Sequence, residues 1–558
     1  MKSSTGNIYG ASATKERQGW FLGLSGPQVL MVLGAAFPCW LAMALGDWLA
    51  LLVLVPLWGL VAALICVPIR GWSALQWIGV LARHLVGQIT GWSDFQSKAA
   101  AGNLYRDLDG RRNHNRSRSR SRSRRDDPFS GSPGAGHARA QRHGSNDGGG
   151  NDGGEDREWG EADLPGVLAG IAIHDGPPMA GRSTRPAIIQ NHAAHTWAAT
   201  ARITHPGIGM ADDGERARMG AGLAELFEAA SASNQIHLVA LQVRNVPDDG
   251  TERAEWVRHH ARHDEPGLSA RLHSQLEAMS AGAAIRHEVF LTVVVLEETI
   301  GKDAKRVGRG LLGRARILYG ILAETESRLT GSIGCTRVTW LDTAELATAI
   351  RTGFEPGDAP ALADAAIHHA ADPAIPAGVP VAAAGPTRAS TAIRSYRHGE
   401  WESVASTILL PRKGALMGAL ARALVPSQAG ERRSLTVFYR PIATGAADRA
   451  TSRSEMSAQM GAELRRKIGR TERAKDRRSF AQLHETDEKL ERGRSLVAVY
   501  AAIAITVPAA WTDQDYGRRL DASVRLCGFT PLPLDGAHDA AFAAATIPLG
   551  VGVPNKRR

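Results

Sequence analysis

Two long uncharged apolar segments near the start of the chain constrain its fold more than any other feature. Val29–Leu45 and Trp48–Val67 contain 17 and 20 residues, and neither segment has a charged side chain. As helices they would rise about 26 and 30 Å, close to the ~30 Å hydrocarbon thickness of a bilayer. Only Gly46 and Asp47 separate them. The sequence therefore predicts a transmembrane helical hairpin over residues 29–67, with a buried hairpin in a soluble core as the alternative.

Charged residues around this hairpin predict its orientation. Basic residues lie outside both ends and none lies in the turn: Lys2, Lys15 and Arg17 come before, and Arg70 and Arg83 come after. Because cytoplasmic flanks are enriched in Lys and Arg, both ends are predicted to be cytoplasmic. We therefore expect a multi-pass protein of the cell inner (plasma) membrane. Residues 1–28 would form a cytoplasmic segment and residues 68–105 an interfacial juxtamembrane helix.

An Arg/Ser/Gly-rich stretch over residues 106–160 follows. Low hydrophobicity with dense charge cannot offset the entropy lost on ordering, so this stretch is predicted to be a disordered linker. Eight arginines lie between Arg111 and Arg125, and without them the net charge of +10 falls to +2, so the remainder of the chain is nearly neutral. Two uses of its Arg-Ser run stay open, a tether at anionic lipid and a contact with nucleic acid. The arginines concerned are Arg116, Arg118, Arg120, Arg122, Arg124 and Arg125.

The rest of the chain alternates strand-like and helix-like segments in two similar series. The clearest strands are Ile236–Val246, His287–Thr299, Ser434–Ile442 and Ser495–Pro508, and a charged helix is predicted over Glu463–Glu491. Each series has the order strand, long helix, strand, short helix, which resembles a split β-α-β arrangement. The predicted fold class is therefore α+β with two ferredoxin-like soluble modules. They occupy residues 161–356 and 396–550, with an Ala/Pro-rich linker at 357–395 and a basic tail at 551–558.

One helix start in the first series can be predicted at the level of a single residue. Asp342 or Thr343 can cap the helix that follows the strand-like segment Cys335–Leu341, with Glu345 near its third position.

Few residues carry recognisable chemistry. The chain has no GxxxxGK[ST] loop, so a P-loop nucleotide site is not expected, and its four cysteines form no CxxC pair. His259 and His263 are four residues apart and could chelate zinc, but their polar surroundings favour a solvated helix end. His192 and His195 precede an apparent strand, in which residues i and i+3 face opposite sides, so this pair is not expected to bind a metal. We therefore predict no catalytic, cofactor-binding or metal-binding residue and no enzymatic activity, with a membrane-tethered hydrolase built on His259 and His263 as the alternative.

Four motifs suggest a family. They are WFLGLSGPQ at 20–28, ADLPGVLAGIAIHDG at 162–176, WESVASTILLPRKGALMGAL at 401–420 and AAFAAATIPLG at 540–550. Together they resemble an actinobacterial membrane protein family encoded beside the ATPases of conjugation and type IV secretion-like systems. The second module resembles the non-motor N-terminal region of conjugative traffic ATPases, whose closing stretch matches Phe542 and Ile547–Leu549. The motor domain itself has no counterpart here.

This resemblance implies a non-enzymatic inner-membrane scaffold of a conjugative DNA-transfer or type IV secretion-like system. Such a scaffold would form homo-oligomers and dock to a separate ATPase through residues 396–550, including Glu463–Glu491. Two alternatives remain. One is a membrane-tethered nucleic-acid-binding protein acting through the Arg-Ser run, and the other is a component like the membrane-bound E protein of type VII secretion.

Overall fold

The computed structural model describes most of the chain beyond residue 161 and parts of the chain before it. The described residues are 11–12, 26–46, 48–66, 68–69, 72–73, 94–99, 162–207, 209, 211–247, 257, 260, 266–280, 285–308, 310–409, 418–428, 430–443, 445–446, 494–511 and 515–552. The predicted linker at 106–160, the histidines His259 and His263, and the charged segment Glu463–Glu491 lie outside them.

The strands, in chain order, are β1 (Ala11–Ser12), β2 (Pro68–Ile69), β3 (Trp72–Ser73), β4 (Asp94–Gln96), β5 (Ile171–His174), β6 (Ile188–Asn191), β7 (Thr196–Thr204), β8 (Ile236–Pro247), β9 (Ile285–Leu296), β10 (Arg337–Trp340), β11 (Arg388–Thr391), β12 (Tyr396–His398), β13 (Trp401–Leu409), β14 (Arg432–Ile442), β15 (Leu496–Pro508) and β16 (Thr530–Pro533). The α-helices are α1 (Gly26–Ala44), α2 (Trp48–Cys66), α3 (Asp213–Ser233), α4 (Gly267–Ser280), α5 (Glu297–Val307), α6 (Gly310–Arg328), α7 (Thr343–Phe354), α8 (Ala359–Ala371), α9 (Tyr516–Leu526) and α10 (His538–Thr546). Short 3₁₀ turns occupy Gly166–Leu168, Pro356–Asp358, Val381–Ala383 and Ala421–Leu424, and a π-helical turn occupies Leu329–Ile333.

Fourteen of the described strands form one sheet. Its main path has the strand order β4-β11-β12-β13-β15-β14-β8-β9-β7-β6-β5. Outside this path, β16 pairs with β13, β10 pairs with β7 and β1 pairs with β15. All these pairs are antiparallel except β1 with β15. The predicted α+β class is confirmed, and its sheet is large and mainly antiparallel.

The sheet contains the same strand order twice. In the first half the order is β10-β7-β9-β8, and in the second half it is β16-β13-β15-β14. Numbered along the chain within each half, both orders are fourth, first, third, second. The second strands of the two halves, β8 and β14, pair antiparallel from Ser434 opposite Arg244 to Tyr439 opposite Val239. A single sheet therefore runs through both halves, which are arranged about the β8–β14 seam like copies related by a two-fold axis.

Alternate residues of the central strands enter cores on opposite faces of this sheet. Val293 of β9 packs with Phe227 of α3 and Leu322 of α6, whereas its neighbour Val294 packs on the other side with Phe354 of α7. A third cluster packs α9 against β13, β14 and β15. Because both faces are covered, the strands are apolar at nearly every position rather than at every second one.

Helix α10 and the residues after it cover the seam between the halves. The carbonyl of Ala545 accepts hydrogen bonds from Gln242 Nε2 of β8 at 2.9 Å and from Thr436 Oγ1 of β14 at 3.0 Å. Thr200 Oγ1 of β7 donates to the carbonyl of Pro548 at 2.7 Å. These polar side chains satisfy carbonyls that a helix end would otherwise bury without partners. The closing motif at 540–550 thus holds both halves together.

Helices α1 and α2 form a hairpin, but the prediction that it spans a membrane is wrong. Trp58 Nε1 donates to the carbonyl of Val32 at 3.2 Å, so the two helices contact each other. Among the described residues, no helix combines the length and apolarity needed to cross a bilayer. Each helix has 19 residues and an internal proline. The predicted multi-pass inner-membrane location is corrected with it.

Candidate interaction surface

The connection between β8 and β9 carries a helix whose apolar side chains are exposed. The two strands stay paired as far as Pro247 opposite Ile285, and the core-facing residues of β9 begin only near Phe290. Helix α4 lies between them in the chain and follows Pro266, whose carbonyl accepts from the amide of Ala270. Proline fixes a backbone angle that suits the start of a helix, which explains why α4 begins there.

The apolar residues of α4 form one stripe. At about 100° per residue, the positions 268, 272, 276 and 279 fall within about 80° around the helix axis. Between half and three quarters of each side chain is open to solvent: Leu268 65%, Leu272 51%, Leu276 50% and Met279 75%. Large apolar side chains in a continuous stripe are typical of a helix that docks into a groove of a partner.

A row of arginines lies at the end of the sheet from which the β8–β9 connection leaves. Its members lie on adjacent strands, and cross-strand partners share a face of the sheet, here the face covered by α7 and α10. With neighbouring strands about 4.8 Å apart, the row extends over roughly 19 Å. From one end to the other the residues are Arg337, Arg202, Arg286, Arg244 and Arg432.

One of these arginines has a structural role. Arg244 is buried and donates from Nη1 to the carbonyl of Ala349 and from Nη2 to Glu288 Oε2, both at 2.7 Å. Its guanidinium also stacks 4.8 Å from the ring of Phe290. Burial works against ionisation of Glu288, yet the nearby arginines, led by Arg244, hold the pKa of Glu288 below its usual range. The ion pair of Arg244 and Glu288 therefore joins β8, β9 and α7 and is not a ligand site.

Of the histidines considered as metal ligands, the structure describes His192 and His195. Both lie in the exposed turn between β6 and β7, just before a strand as predicted. His195 adopts a positive φ of 53° and its Nδ1 lies 3.9 Å from Glu297 Oε2. Within the part of the chain that the structure describes, no three His, Cys, Asp or Glu side chains are placed to hold a metal ion.

The structure does bring together a serine and a histidine that the sequence did not suggest. His398 Nε2 lies 2.8 Å from Ser403 Oγ, which lies 2.7 Å from Thr506 Oγ1. His398 Nδ1 lies 2.6 Å from the carbonyl of Phe354, which can only accept, so Nδ1 carries the proton and Nε2 accepts from Ser403. Burial lowers the pKa of His398 to about 3.

Ser403 and His398 have the hydrogen-bond geometry of a nucleophile and its general base, but a substrate cannot reach them. Both residues have no solvent-exposed surface. Substrate has no route to Ser403 without opening the core, so the pair serves to join β12, β13 and β15 to the end of α7. His398 and Ser403 are five positions apart in the chain, but their burial depends on Phe354 and Thr506, which are far away in sequence.

The stripe on α4 was missed by our reading of the sequence, although a signal for it is present. Leucines at every fourth position after Pro266, followed by Met279, give the spacing of one apolar helix face. A scan against protein-family models finds no match to this chain, and a search of curated proteins finds none either.

Proposed function

We propose that this chain is a non-enzymatic scaffold protein of a conjugative DNA-transfer or type IV secretion-like system. It docks to a separate ATPase and to other subunits of that system. The single observation that carries the proposal is the exposed apolar stripe of α4. A scaffold requires a docking surface, and this stripe lies in the connection between the paired strands β8 and β9.

The energy available at this stripe supports docking. Full burial of a leucine or methionine side chain contributes about 1.5–3 kcal/mol relative to exposure. Leu268, Leu272 and Met279 alone could therefore contribute several kcal/mol on entering an apolar groove. This contribution is about as large as the free-energy cost of the translational and rotational freedom that two proteins lose on association. The stripe would therefore bind a partner only together with further contacts.

The strand orders support the finer description of the fold. In each half, the antiparallel strands have the order fourth, first, third, second. The helices that connect the first strand to the second or the third to the fourth pack on one face: α3, α5 and α6 in the first half and α9 in the second. We propose that both halves are ferredoxin-like modules, with β7–β10 in the first and β13–β16 in the second.

The choice of an ATPase as partner rests on the sequence resemblance. The second half resembles the non-motor region of traffic ATPases, and the sequence has no P-loop of its own. We propose that residues 396–550 supply a second contact with the ATPase or with further copies of this chain. Residues Glu463–Glu491, which lie outside the described residues, would be part of that contact.

The test is a matched pair of charge insertions on α4. Leu272→Glu places a carboxylate in the stripe, whereas Ala270→Glu places the same charge on an exposed position about 160° further round the helix. The full chain is purified from its native host, and the yield of a co-eluting ATPase is quantified. We expect Leu272→Glu to reduce the yield at least tenfold, a loss of about 1.4 kcal/mol or more. Ala270→Glu should retain the wild-type yield.

Equal yields from the two variants would refute α4 as the docking site. Substantial ATP turnover by the purified chain alone would refute the non-enzymatic scaffold.

A second candidate function, nucleic-acid binding, is favoured by the exposed members of the arginine row. Arg202, Arg286 and Arg337 are solvent-exposed on neighbouring strands. If they contact phosphates, the logarithm of DNA affinity should fall with the logarithm of salt concentration, and replacing all three by Gln should reduce that slope by about 2.7. An unchanged slope in fluorescence anisotropy would exclude this use of the row.

A further inference from the structure

The last member of the arginine row differs from the others in its surroundings. Arg432 is the first residue of β14 and lies opposite Thr506 of β15. Thr506 in turn lies opposite Ser403 of β13, two residues from Trp401. The guanidinium carbon of Arg432 is 5.6 Å from the centre of the Trp401 ring. The arginine therefore lies against an aromatic wall on the face that also carries the arginine row.

Arg432 is largely buried, and its charge is not compensated. Its Nε and Nη1 atoms are buried and have no hydrogen-bond partner. Among the described residues, no carboxylate forms an ion pair with it. Burial lowers the pKa of Arg432 to about 10. A buried donor without an acceptor is costly, and a buried charge without a counter-charge is more so.

The next residue in the chain, Arg433, is a buried arginine with a structural role. Arg433 points to the opposite face and donates to the carbonyl of Ala423 at 2.9 Å, to Ser427 Oγ at 2.8 Å and to Glu431 at 3.1 Å. The Glu431 carboxylate is itself fully buried beside it. Arg433 thus has an internal anion, and Arg432 has none.

We propose that Arg432, with Trp401, forms a binding site for a small oxyanion, a phosphate or carboxylate group. A guanidinium offers parallel N–H donors that match two oxygens of such a group. The indole ring packs against the guanidinium and leaves its N–H groups in the plane to bind the anion. Because Nε and Nη1 have almost no accessible surface, only a small group admitted by a local shift of the covering side chains reaches them. This site is independent of the stripe on α4 and of docking.

Thermal unfolding of the purified full chain tests the site. The chain is prepared in chloride, then titrated with inorganic phosphate or with acetate, and sodium chloride of equal ionic strength serves as the reference. We expect phosphate, acetate or both to raise the wild-type Tm by roughly 2 °C or more at saturation. A response to phosphate alone identifies a phosphate-bearing ligand, and a response to acetate alone identifies a carboxylate.

Three variants assign the response to Arg432. Arg432→Met should unfold at a higher temperature than wild type in chloride, because it removes an uncompensated buried charge, and it should not respond to either anion. Arg432→Lys keeps the charge but loses the planar donors, and it should lose most of the response. Arg397→Met, at an exposed position on neighbouring β12, should respond like wild type.

Several results would overturn the site. A wild-type Tm that follows ionic strength alone would do so, and so would equal anion responses in wild type and Arg432→Lys. If Arg432→Met fails to fold, calorimetric titration of phosphate and acetate into wild type and Arg432→Lys decides the matter. A lower Tm of Arg432→Met, together with a wild type that does not respond, would show that the guanidinium already has a partner within the chain.

Discussion

Glu355 should make the protein less stable as the pH rises through neutrality. It lies at the carboxyl end of α7 and is only 7% exposed. Burial raises the pKa of Glu355 to about 7, against opposing contributions from Arg351 and the amide of Glu400. The carboxylate lies against Gly399, where a Cβ atom would come within 1.5 Å of Oε1. A side chain at position 399 would therefore displace it.

The sign and size of the effect follow from the two pKa values. The carboxyl of Glu355 has a pKa of about 7 in the folded chain and an ordinary value of 4.5 in the unfolded chain. The folded state therefore holds the proton more tightly, and the contribution to stability is complete below pH 4.5. It is lost as the pH rises through 7, and the full difference corresponds to about 3 kcal/mol at most.

Glu355→Gln removes the titration and keeps the shape of the protonated form. At pH 5 we expect the variant to be more stable than wild type by no more than about 1 kcal/mol, because Glu355 is then protonated in the folded chain and ionises only in the unfolded chain. At pH 8 we expect the variant to be more stable by about 1–3 kcal/mol. Urea unfolding followed by circular dichroism at both pH values measures the difference.

A control variant separates this effect from a general change in charge. Asp364→Asn removes an exposed carboxylate from α8 and should change stability by no more than about 0.5 kcal/mol at either pH. The reasoning fails if the Glu355→Gln difference is the same at pH 5 and pH 8, or if the variant is the less stable protein at pH 8.

Two further predictions concern packing and the buried hydrogen-bond chain. Gly222→Ala should destabilise the protein by about 1–3 kcal/mol, because its Cβ would lie 2.5 Å from the carbonyl oxygen of Ser332. Gly320→Ala, on α6 with open space around it, should instead be neutral or stabilising by up to about 1 kcal/mol in the same urea titration. Ser403→Ala should cost about 1–3 kcal/mol, since His398 Nε2 would be left buried without a donor. A loss below about 0.5 kcal/mol would show that water replaces the serine hydroxyl.

Local features of the fold could be predicted from the sequence because they depend on neighbouring residues. Ile236–Val246 is confirmed as a strand, and β8 extends it by one residue. Of the two predicted cap residues, Asp342 and not Thr343 is the N-cap of α7. Its Oδ1 accepts a hydrogen bond from the amide of Glu345 at 2.8 Å. A short segment contains all the information that such features require.

Features that depend on distant residues could not be predicted in this way. The pairing of β8 with β14 joins segments about 190 residues apart, and an apolar strand does not specify which partner it will pair with. Burial of Glu355, His398 and Arg432 likewise arises from packing between elements far apart in the chain. The membrane prediction failed differently: it was based on two uncharged apolar segments, whereas no helix among the described residues is long and apolar enough to cross a bilayer.

The closing motif at 540–550, on which part of the predicted family resemblance rests, has a structural role in this protein. In this protein every residue from Ala540 to Leu549 is buried, and Gly550 is partly exposed. The small alanine side chains let α10 approach the sheet closely enough for Gln242 and Thr436 to reach the carbonyl of Ala545. The motif is therefore used entirely to hold the two halves of the sheet together. Because the side chains of this motif are buried, they cannot select a partner, and a partner must contact exposed surfaces such as α4.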